Sequence, residues 1–167
     1  MTLTPNERDP ERTVSGSGRW FDELRVGETF ERSVTIIDTH LVQSAELLGD
    51  FNPLHVDEEF ARKSRFGGRI LHGVMTGAIM GGAVGMYFHG TAIAYLEHNA
   101  RFLAPVRPGD TLTIAWTIDG LVPKSRHGGG IVELTGSATN QQGVVAAQAT
   151  GKIMVYARRA GDDFPTP

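Results

Sequence analysis

The chain has 167 residues, enough for one domain with a sizeable core, because a chain of this size buries roughly 70% of its unfolded surface. Its formal net charge of −3 gives no electrostatic reason to bind nucleic acid. The absence of cysteine excludes disulfides, thiolate metal ligands and thiol nucleophiles. Its first residues lack the basic-then-apolar pattern of a secretion signal, so the cytoplasm is the expected compartment.

The two ends of the sequence differ in character from the part between them. Residues 1–18 are polar and contain prolines, glycines and charges, which predicts a flexible tail. Residues 158–167 are also polar and are expected to form a second tail. One domain is therefore expected over residues 19–157, with Trp20 and Phe21 anchoring its start.

The domain is expected to open with a strand and a helix. Alternating residues rich in Thr, Val and Ile predict a strand from Glu28 to Ile37. A helix is predicted from His40 to Leu48, with Asp38 or Thr39 as its cap and Gly49 as its stop.

The next stretch, Asp50-Phe51-Asn52-Pro53-Leu54-His55-Val56-Asp57, places an acid and an imidazole on one proline-stiffened turn. Asn-Pro initiates turns, and Pro53 keeps Asn52 out of the helical region. Asp50 and His55 are therefore expected to face each other across a turn, where both can contact one water molecule. Spacing alone leaves a second interpretation open, in which Asp50 is a helix cap and His55 a loop histidine.

A short helix with a basic side is predicted next. Asp57 is its expected N-cap, and Glu58 and Glu59 follow in the first turn, where the helix dipole favours acidic residues. Four basic residues follow closely: Arg62, Lys63, Arg65 and Arg69. This basic cluster is either a solvated surface or a binding site for phosphate groups.

The stretch from Ile70 to Leu96 contains no Asp, Glu, Lys or Arg, which raises the hypothesis of a membrane span. Six glycines and two histidines dilute its apolar character, so a buried core helix from about Leu71 to Phe88 is predicted instead. Four of the glycines recur every fourth residue and form one stripe on that helix: Gly73, Gly77, Gly81 and Gly85. Each costs about 1 kcal/mol relative to alanine, so close contact with another backbone or a ligand is expected to compensate.

The remainder of the domain is predicted to be β-structure. Strands are expected over Ile93–Phe102, Thr111–Val122, Ile131–Thr139 and Val144–Tyr156, with a polar, glycine-rich hairpin loop at Lys124–Gly130. Short connections between strands favour antiparallel pairing. Counting the first strand, the sequence predicts an antiparallel sheet of about five strands.

Two motifs carry a resemblance to a known family. D-x-N-P-L-H at Asp50–His55, then a basic helix, then F-G-G-R-I-L-H-G at Phe66–Gly73 resemble the signature of the MaoC-like dehydratases, the (R)-specific enoyl-CoA hydratases of the hotdog superfamily. The close match covers Gly49 to Gly85, and the later strands are compatible as far as Tyr156. The resemblance implies an α+β hotdog fold, in which a curved antiparallel sheet wraps one long central helix.

The resemblance also implies an activity and a site. The expected reaction is the reversible hydration of trans-2-enoyl-CoA to (R)-3-hydroxyacyl-CoA by a hydro-lyase, with no cofactor beyond the coenzyme A of the substrate. Asp50 and His55 are the expected catalytic pair, and which of them is the formal base stays open. The backbone amide of Gly73 is expected to bind the thioester oxygen. A homodimer or an assembly of dimers is expected, without nucleic-acid or membrane partners.

Further residues are expected around the substrate: Asn52, Arg62, Lys63, Arg65, Arg69, His72 and Gly81. The basic residues among them would contact the phosphates of coenzyme A, whereas Asn52 favours a turn role and His72 a bond to the backbone. Some relatives carry a serine where this chain has Gly81. Aromatic side chains that could close the acyl tunnel are Tyr87, Phe88 and Tyr95, although a core role fits them better.

Three alternatives remain to be weighed. A metal site at His55, Asp57, His72 and His98 is disfavoured, because alternate residues of an extended loop point apart and the resemblance implies no metal. A hotdog thioesterase usually places a carboxylate on the central helix, and this helix has none. A non-catalytic acyl-CoA-binding subunit stays open because of Gly81.

Overall fold

The computed structural model describes residues 18–158, so the two predicted tails lie outside the described residues except for Gly18 and Arg158. Both of these residues are hydrogen-bonded to the domain. The Gly18 N–H donates to the His89 carbonyl at 2.8 Å, and the Arg158 N–H donates to the Asp22 carboxylate at 2.8 Å. Trp20, expected to anchor the start of the domain, is buried, and Phe21 packs against the core.

Four helices and five strands follow in chain order over this range. The helices are α1 (Asp38–Leu48), α2 (Pro53–Val56), α3 (Glu58–Lys63) and α4 (Gly73–Tyr87). The strands are β1 (Thr29–Thr35), β2 (Ala92–Phe102), β3 (Thr111–Lys124), β4 (Gly129–Asn140) and β5 (Val145–Tyr156). Short 3-10 turns at Phe21–Glu23 and Ser125–His127 complete the described elements.

The five strands form one antiparallel sheet in the order β1-β3-β4-β5-β2. Strands β3, β4 and β5 are joined by hairpins, whereas β1 and β2 form the two edges. From Thr111 to Ile118, the positions of β3 alternate between half-buried and buried, as expected for a strand with one face against a core. The predicted five-stranded antiparallel sheet is confirmed.

Helix α4 lies against the core face of the sheet. Met80 and Val84 are fully buried, and the indole N–H of Trp116 on β3 donates to the Met80 carbonyl at 3.1 Å. Pairing the indole N–H with a main-chain carbonyl satisfies a polar group that would otherwise be costly in the core. Within the described range, no helix is both long and apolar enough to cross a membrane.

The predicted glycine stripe contacts the sheet only at its first two positions. A Cβ on Gly73 would meet the Phe102 ring on β2, and one on Gly77 would meet Ala100 and His98. At Gly81 and Gly85 a Cβ would meet nothing within 4 Å. Contact with the sheet is therefore found only for the first half of the stripe, because residues four apart on a 3.6-residue helix rotate by about 40° at each step and the stripe winds away from β2.

The start of α1 differs from the prediction. The helix begins at Asp38, and its N-cap is Ile37 instead of Asp38 or Thr39. The Ile37 N–H donates to Nδ1 of His40 at 3.2 Å, so an imidazole supplies the capping acceptor. The strand ends agree with the predictions to within one or two residues.

Candidate active site

The acidic residue of the site follows directly from the end of α1. Gly49 ends the helix with φ 67°, a left-handed conformation that favours glycine, and the chain then turns at Asp50. The Asp50 carboxylate accepts the Asn52 N–H at 3.1 Å, and the Asn52 side-chain oxygen accepts the Leu54 N–H at 3.1 Å. Helix α2 thus begins with Asn52 as its side-chain cap and with Pro53, whose ring fixes φ at a helical value. The observed role of Asn52 is to stabilise this turn.

The imidazole of His55 lies in α2 with one ring nitrogen fixed by the backbone. Its Nδ1 is 2.7 Å from the carbonyl oxygen of Ile70, just before α4. A carbonyl oxygen only accepts hydrogen bonds, so Nδ1 carries the proton. In the neutral ring Nε2 then has a free lone pair, which can accept a proton from a bound water.

His72 holds both of these residues in place. Its Nε2–H donates to the main-chain oxygen of Asp50 at 2.9 Å, and its ring stacks on that of His55 with centroids 3.7 Å apart. The His72 side chain is only 2% exposed, and its Nδ1 has no hydrogen-bond partner in the described part of the chain. His72 was expected among the substrate-binding residues; its observed contacts are with Asp50 and His55.

The three side chains converge on one point. One carboxylate oxygen of Asp50 and one ring nitrogen each of His55 and His72 lie within 4.8 Å of one another. A water molecule that bonds to two such groups at about 2.8 Å spans this separation. The arrangement can therefore hold one water between a carboxylate and an imidazole.

The ligand atoms of these three residues are close enough to be tested as a metal site, but their geometry suits that use poorly. An imidazole binds an ion in the plane of its ring at about 2.0–2.1 Å. The His55 and His72 rings are stacked with 27° between their planes, so an ion in the plane of one ring lies well outside the other. Two of the candidate metal ligands named from the sequence have other partners. Asp57 caps α3 by accepting the Phe60 N–H, and His98 is hydrogen-bonded to Tyr95.

A cleft of about 270 Å³ opens beside the pair. It is lined by His55 of α2, by Gly73 and Thr76 at the start of α4, and by residues 102–106, among others. A Cβ on Gly73 would lie 3.0 Å from the Phe102 ring, so glycine allows this close approach. The first N–H groups of a helix have no partner within the helix and carry partial positive charge, so the Gly73 end of α4 suits a developing oxyanion.

The basic cluster divides into paired and unpaired members. Arg62 and Lys63 form ion pairs with Glu58 and Glu59 one turn earlier, at 3.7 and 2.7 Å. Arg69 bridges Asp38 of α1 and Glu58 of α3 and so ties two helices together.

Arg65 alone among the four basic residues lines the cleft, and its guanidinium lies 4.9 Å from the centre of the Phe66 ring. No salt bridge to Arg65 is found among residues 18–158. Of the expected phosphate-binding set, the structure therefore brings only Arg65 to the site.

The remaining candidates lie away from the cleft. Gly81 is two turns further along α4, and Phe88 is fully buried in the core. Tyr87 stacks on Phe30 and donates to Glu28. The hydroxyl of Tyr95 bonds Nδ1 of His98 at 2.9 Å, and burial raises the pKa of Tyr95 to about 12 and lowers that of His98. None of the aromatic side chains proposed to close an acyl tunnel lines this cleft.

Comparison with known sequences gives one family. The model of a family described as MaoC like domain matches residues 23–142. An (R)-specific enoyl-CoA hydratase of Rhodospirillum rubrum is 31% identical over 139 residues, 83% of this chain and 93% of that protein. A 3-hydroxybutyryl-CoA dehydratase of Methylorubrum extorquens is 35% identical over 108 residues, 65% of this chain and 69% of that protein.

Comparison with solved structures agrees with the sequence matches. An unliganded (R)-hydratase of Pseudomonas aeruginosa has a TM-score of 0.75 at 28% identity, over 87% of this chain and 93% of that chain. A Mycobacterium tuberculosis protein described as a double hotdog fold has a TM-score of 0.74 at 21% identity, over 89% of this chain and 46% of that chain. The hotdog fold expected from the sequence motifs is confirmed.

Proposed function

We propose, since this chain belongs to the MaoC-like dehydratase family, that it is a hydro-lyase that adds water reversibly to trans-2-enoyl-CoA and forms (R)-3-hydroxyacyl-CoA. The carrying observation is that His55 and Gly73 line one cleft, with an Asp50 carboxylate oxygen within 4.8 Å of a ring nitrogen of His55. Acid–base groups and an amide donor then flank a single substrate, as the reaction requires.

In this proposal Asp50 and His55 hold the attacking water between them. The Ile70 carbonyl keeps the proton of His55 on Nδ1, so Nε2 is the atom that takes a proton as the water oxygen bonds to Cβ. Asp50 orients the water and stabilises the imidazolium that forms. The proton is then delivered to Cα, and the pair returns to its starting state.

The backbone amide of Gly73 is the proposed donor to the thioester oxygen. When water adds to Cβ, electron density moves through Cα onto that oxygen, and the negative charge is greatest at the enolate stage. A fixed N–H at the N-terminus of α4 stabilises this charge more than it stabilises the neutral ground state. The density returns to Cα when the carbon is protonated.

The test is a spectrophotometric assay with trans-2-butenoyl-CoA and longer enoyl-CoA thioesters. Hydration removes the absorbance of the conjugated enoyl thioester, and chiral analysis of the product should give the (R)-3-hydroxyacyl form. Release of free thiol would instead indicate a thioesterase. Binding without either change would indicate a non-catalytic acyl-CoA-binding subunit and would refute the proposed activity.

Recognition of coenzyme A is assigned to Arg65 within the basic cluster. Its guanidinium is at the cleft and free of ion pairing in the described chain, whereas Arg62, Lys63 and Arg69 are paired with nearby carboxylates. Arginine suits phosphate because its planar fork donates two parallel hydrogen bonds.

A homodimer is proposed from the open edge of the sheet. Strand β2 has 11 residues, none of them buried, although β3 to β5 are buried at alternate positions. An edge strand with unpaired backbone groups and exposed apolar side chains is a site for pairing with another chain. Location in the cytoplasm stays a prediction from sequence.

A further inference from the structure

Thr76 is a buried residue at the cleft, and its hydroxyl has no hydrogen-bond partner in the described chain. Three residues with a hydroxyl side chain are buried in the described chain: Ser44, Thr76 and Thr91, which are 1%, 3% and 0% exposed. Ser44 donates to the His40 carbonyl at 2.5 Å, and Thr91 donates to the Arg19 carbonyl at 2.7 Å. The Thr76 hydroxyl forms no hydrogen bond within residues 18–158. The residue is buried, but its hydroxyl oxygen is not among the fully buried polar atoms that lack a partner, so the hydroxyl stays in contact with the open space of the cleft that Thr76 lines. It is therefore available to donate a hydrogen bond to a ligand in that cleft.

The local helix geometry explains why Thr76 is unpaired. A threonine inside a helix commonly donates to the carbonyl four residues earlier, as Ser44 does. For Thr76 that acceptor is the His72 carbonyl, which already accepts the N–H groups of Met75 at 3.0 Å and Thr76 at 3.3 Å. Its usual acceptor is therefore shared, and the hydroxyl is free to turn toward the cleft that Thr76 lines.

The same geometry brings the hydroxyl toward Gly73. Residues three apart lie on one face of a helix, and Gly73 and Thr76 line the same cleft. The Cα–Cβ bond of a helical residue tilts toward the N-terminus, so the Thr76 side chain leans over the turn that begins at Gly73. An oxygen atom bound by the Gly73 N–H thus lies on the side toward which the Thr76 side chain leans.

We propose that the Thr76 hydroxyl is a second hydrogen-bond donor to the thioester oxygen of the substrate, beside the Gly73 amide. This role rests on the proposed hydratase function. As the water oxygen bonds to Cβ, both donors stabilise the charge on the thioester oxygen; when Cα receives its proton, the charge and the strengthened bonds are lost together.

The kinetic test compares Thr76→Val, which has the same shape without the hydroxyl, with Thr76→Ser, which keeps it. With trans-2-butenoyl-CoA, Thr76→Val should lower kcat by about 10²-fold, the usual loss for one oxyanion donor, and Thr76→Ser should keep most of the activity. The melting temperature of Thr76→Val should stay close to that of the wild type, because the change breaks no hydrogen bond within residues 18–158 and keeps the shape of the side chain. Thr76→Ala gives the same readout where valine prevents folding.

A spectroscopic test separates this role from the hydratase assignment itself. Butanoyl-CoA labelled with ¹³C at the thioester carbonyl binds without being hydrated, and hydrogen bonds to the carbonyl lower its infrared stretching frequency. The band should lie lower on the wild type and Thr76→Ser than on Thr76→Val. Thr91→Val is the matched control: it removes a buried hydroxyl that bonds to the Arg19 carbonyl, so it should lower the melting temperature and leave the band unchanged.

Unchanged kcat and an unchanged carbonyl band in Thr76→Val would overturn the role of Thr76 while leaving the hydratase intact. A wild type that does not hydrate any enoyl-CoA would instead refute the proposed function. In that case a carbonyl band that still moves in Thr76→Val would assign the hydroxyl to acyl-CoA binding alone.

Discussion

Asp50 and His55 act on one water in the proposed reaction, so their substitution should reveal a shared role. Asp50→Asn keeps an oxygen for the Asn52 N–H but removes the charge, and His55→Gln removes the imidazole. Each should lower kcat by about 10²–10⁴-fold with small changes in KM and melting temperature. The double variant should lose little more than the worse single variant, because both residues serve one proton-transfer step.

The matched control for this pair is His40→Gln. The His40 ring accepts the Ile37 N–H at the start of α1, away from the cleft, so this change should lower stability slightly and leave kcat unaltered. Near-wild-type hydration by both Asp50→Asn and His55→Gln would disprove their catalytic assignment. Unfolding of both would indicate that they are a structural cap and a structural histidine.

Arg65 and Lys63 allow the basic cluster to be tested residue by residue. Arg65→Ala should raise KM for enoyl-CoA substrates several-fold with little effect on kcat, because a phosphate contact remote from the reacting atoms is made equally in ground and transition states. Lys63→Ala is the control, since its ammonium is exposed and paired with Glu59. Equal KM effects in the two variants would show that the cluster acts only through general charge, and isothermal titration with coenzyme A would confirm which residue binds it.

Helix α4 gives a prediction about stability. A Cβ on Gly77 would already lie 3.4 Å from Ala100 and from His98 on β2, so Gly77→Leu must push helix and strand apart. Overpacking of this kind costs about 1–3 kcal/mol, measured by chemical denaturation. Gly85→Leu on the same helix meets open space and should not destabilise the fold. Equal stability of the two variants would contradict the observed contact between α4 and β2.

Most elements are predictable because their signals are local. The strands alternate in polarity and are separated by glycine and proline, so their ends were placed to within two residues. Helix α2 was missed because four residues are too short for a periodic pattern; the cap at Asn52 and the proline at its first position are its only signals. The cap of α1 by His40 was also missed, since histidine is not a usual capping residue.

The site was predictable from its motif only in part. The spacing of Glu58 with Arg62, and of Glu59 with Lys63, already favours pairing one turn apart, but the bridge from Arg69 to Asp38 joins residues 31 positions apart in sequence. The free hydroxyl of Thr76 had no signal, because a threonine in an apolar helix ordinarily bonds to its own backbone. Long-range contacts and an occupied acceptor become visible only once the chain is folded.

At the scale of the whole molecule, β2 is an edge strand that a single copy leaves uncovered. Three side chains of β2, Tyr95, Leu96 and Phe102, and the following Leu103 expose 38%, 50%, 47% and 49% of their surface. The outer backbone edge of β2 has no neighbour in the described sheet. Pairing two copies along this edge would bury these apolar side chains and extend the sheet across the two subunits. The cleft lies at the C-terminal end of β2, since Phe102 and Leu103 also line it.

Leu96→Asp tests this arrangement, because a two-fold interface brings the two new carboxylates of a dimer into the same apolar contact, where both must be desolvated. The wild type should sediment as a dimer or an assembly of dimers at micromolar concentration, and Leu96→Asp should sediment as a smaller species with reduced activity. Leu47→Asp is the matched control, since Leu47 is 78% exposed on α1. A fully active wild-type monomer would disprove the dimer. Dissociation by Leu47→Asp but not by Leu96→Asp would show that the interface lies on α1 instead of β2.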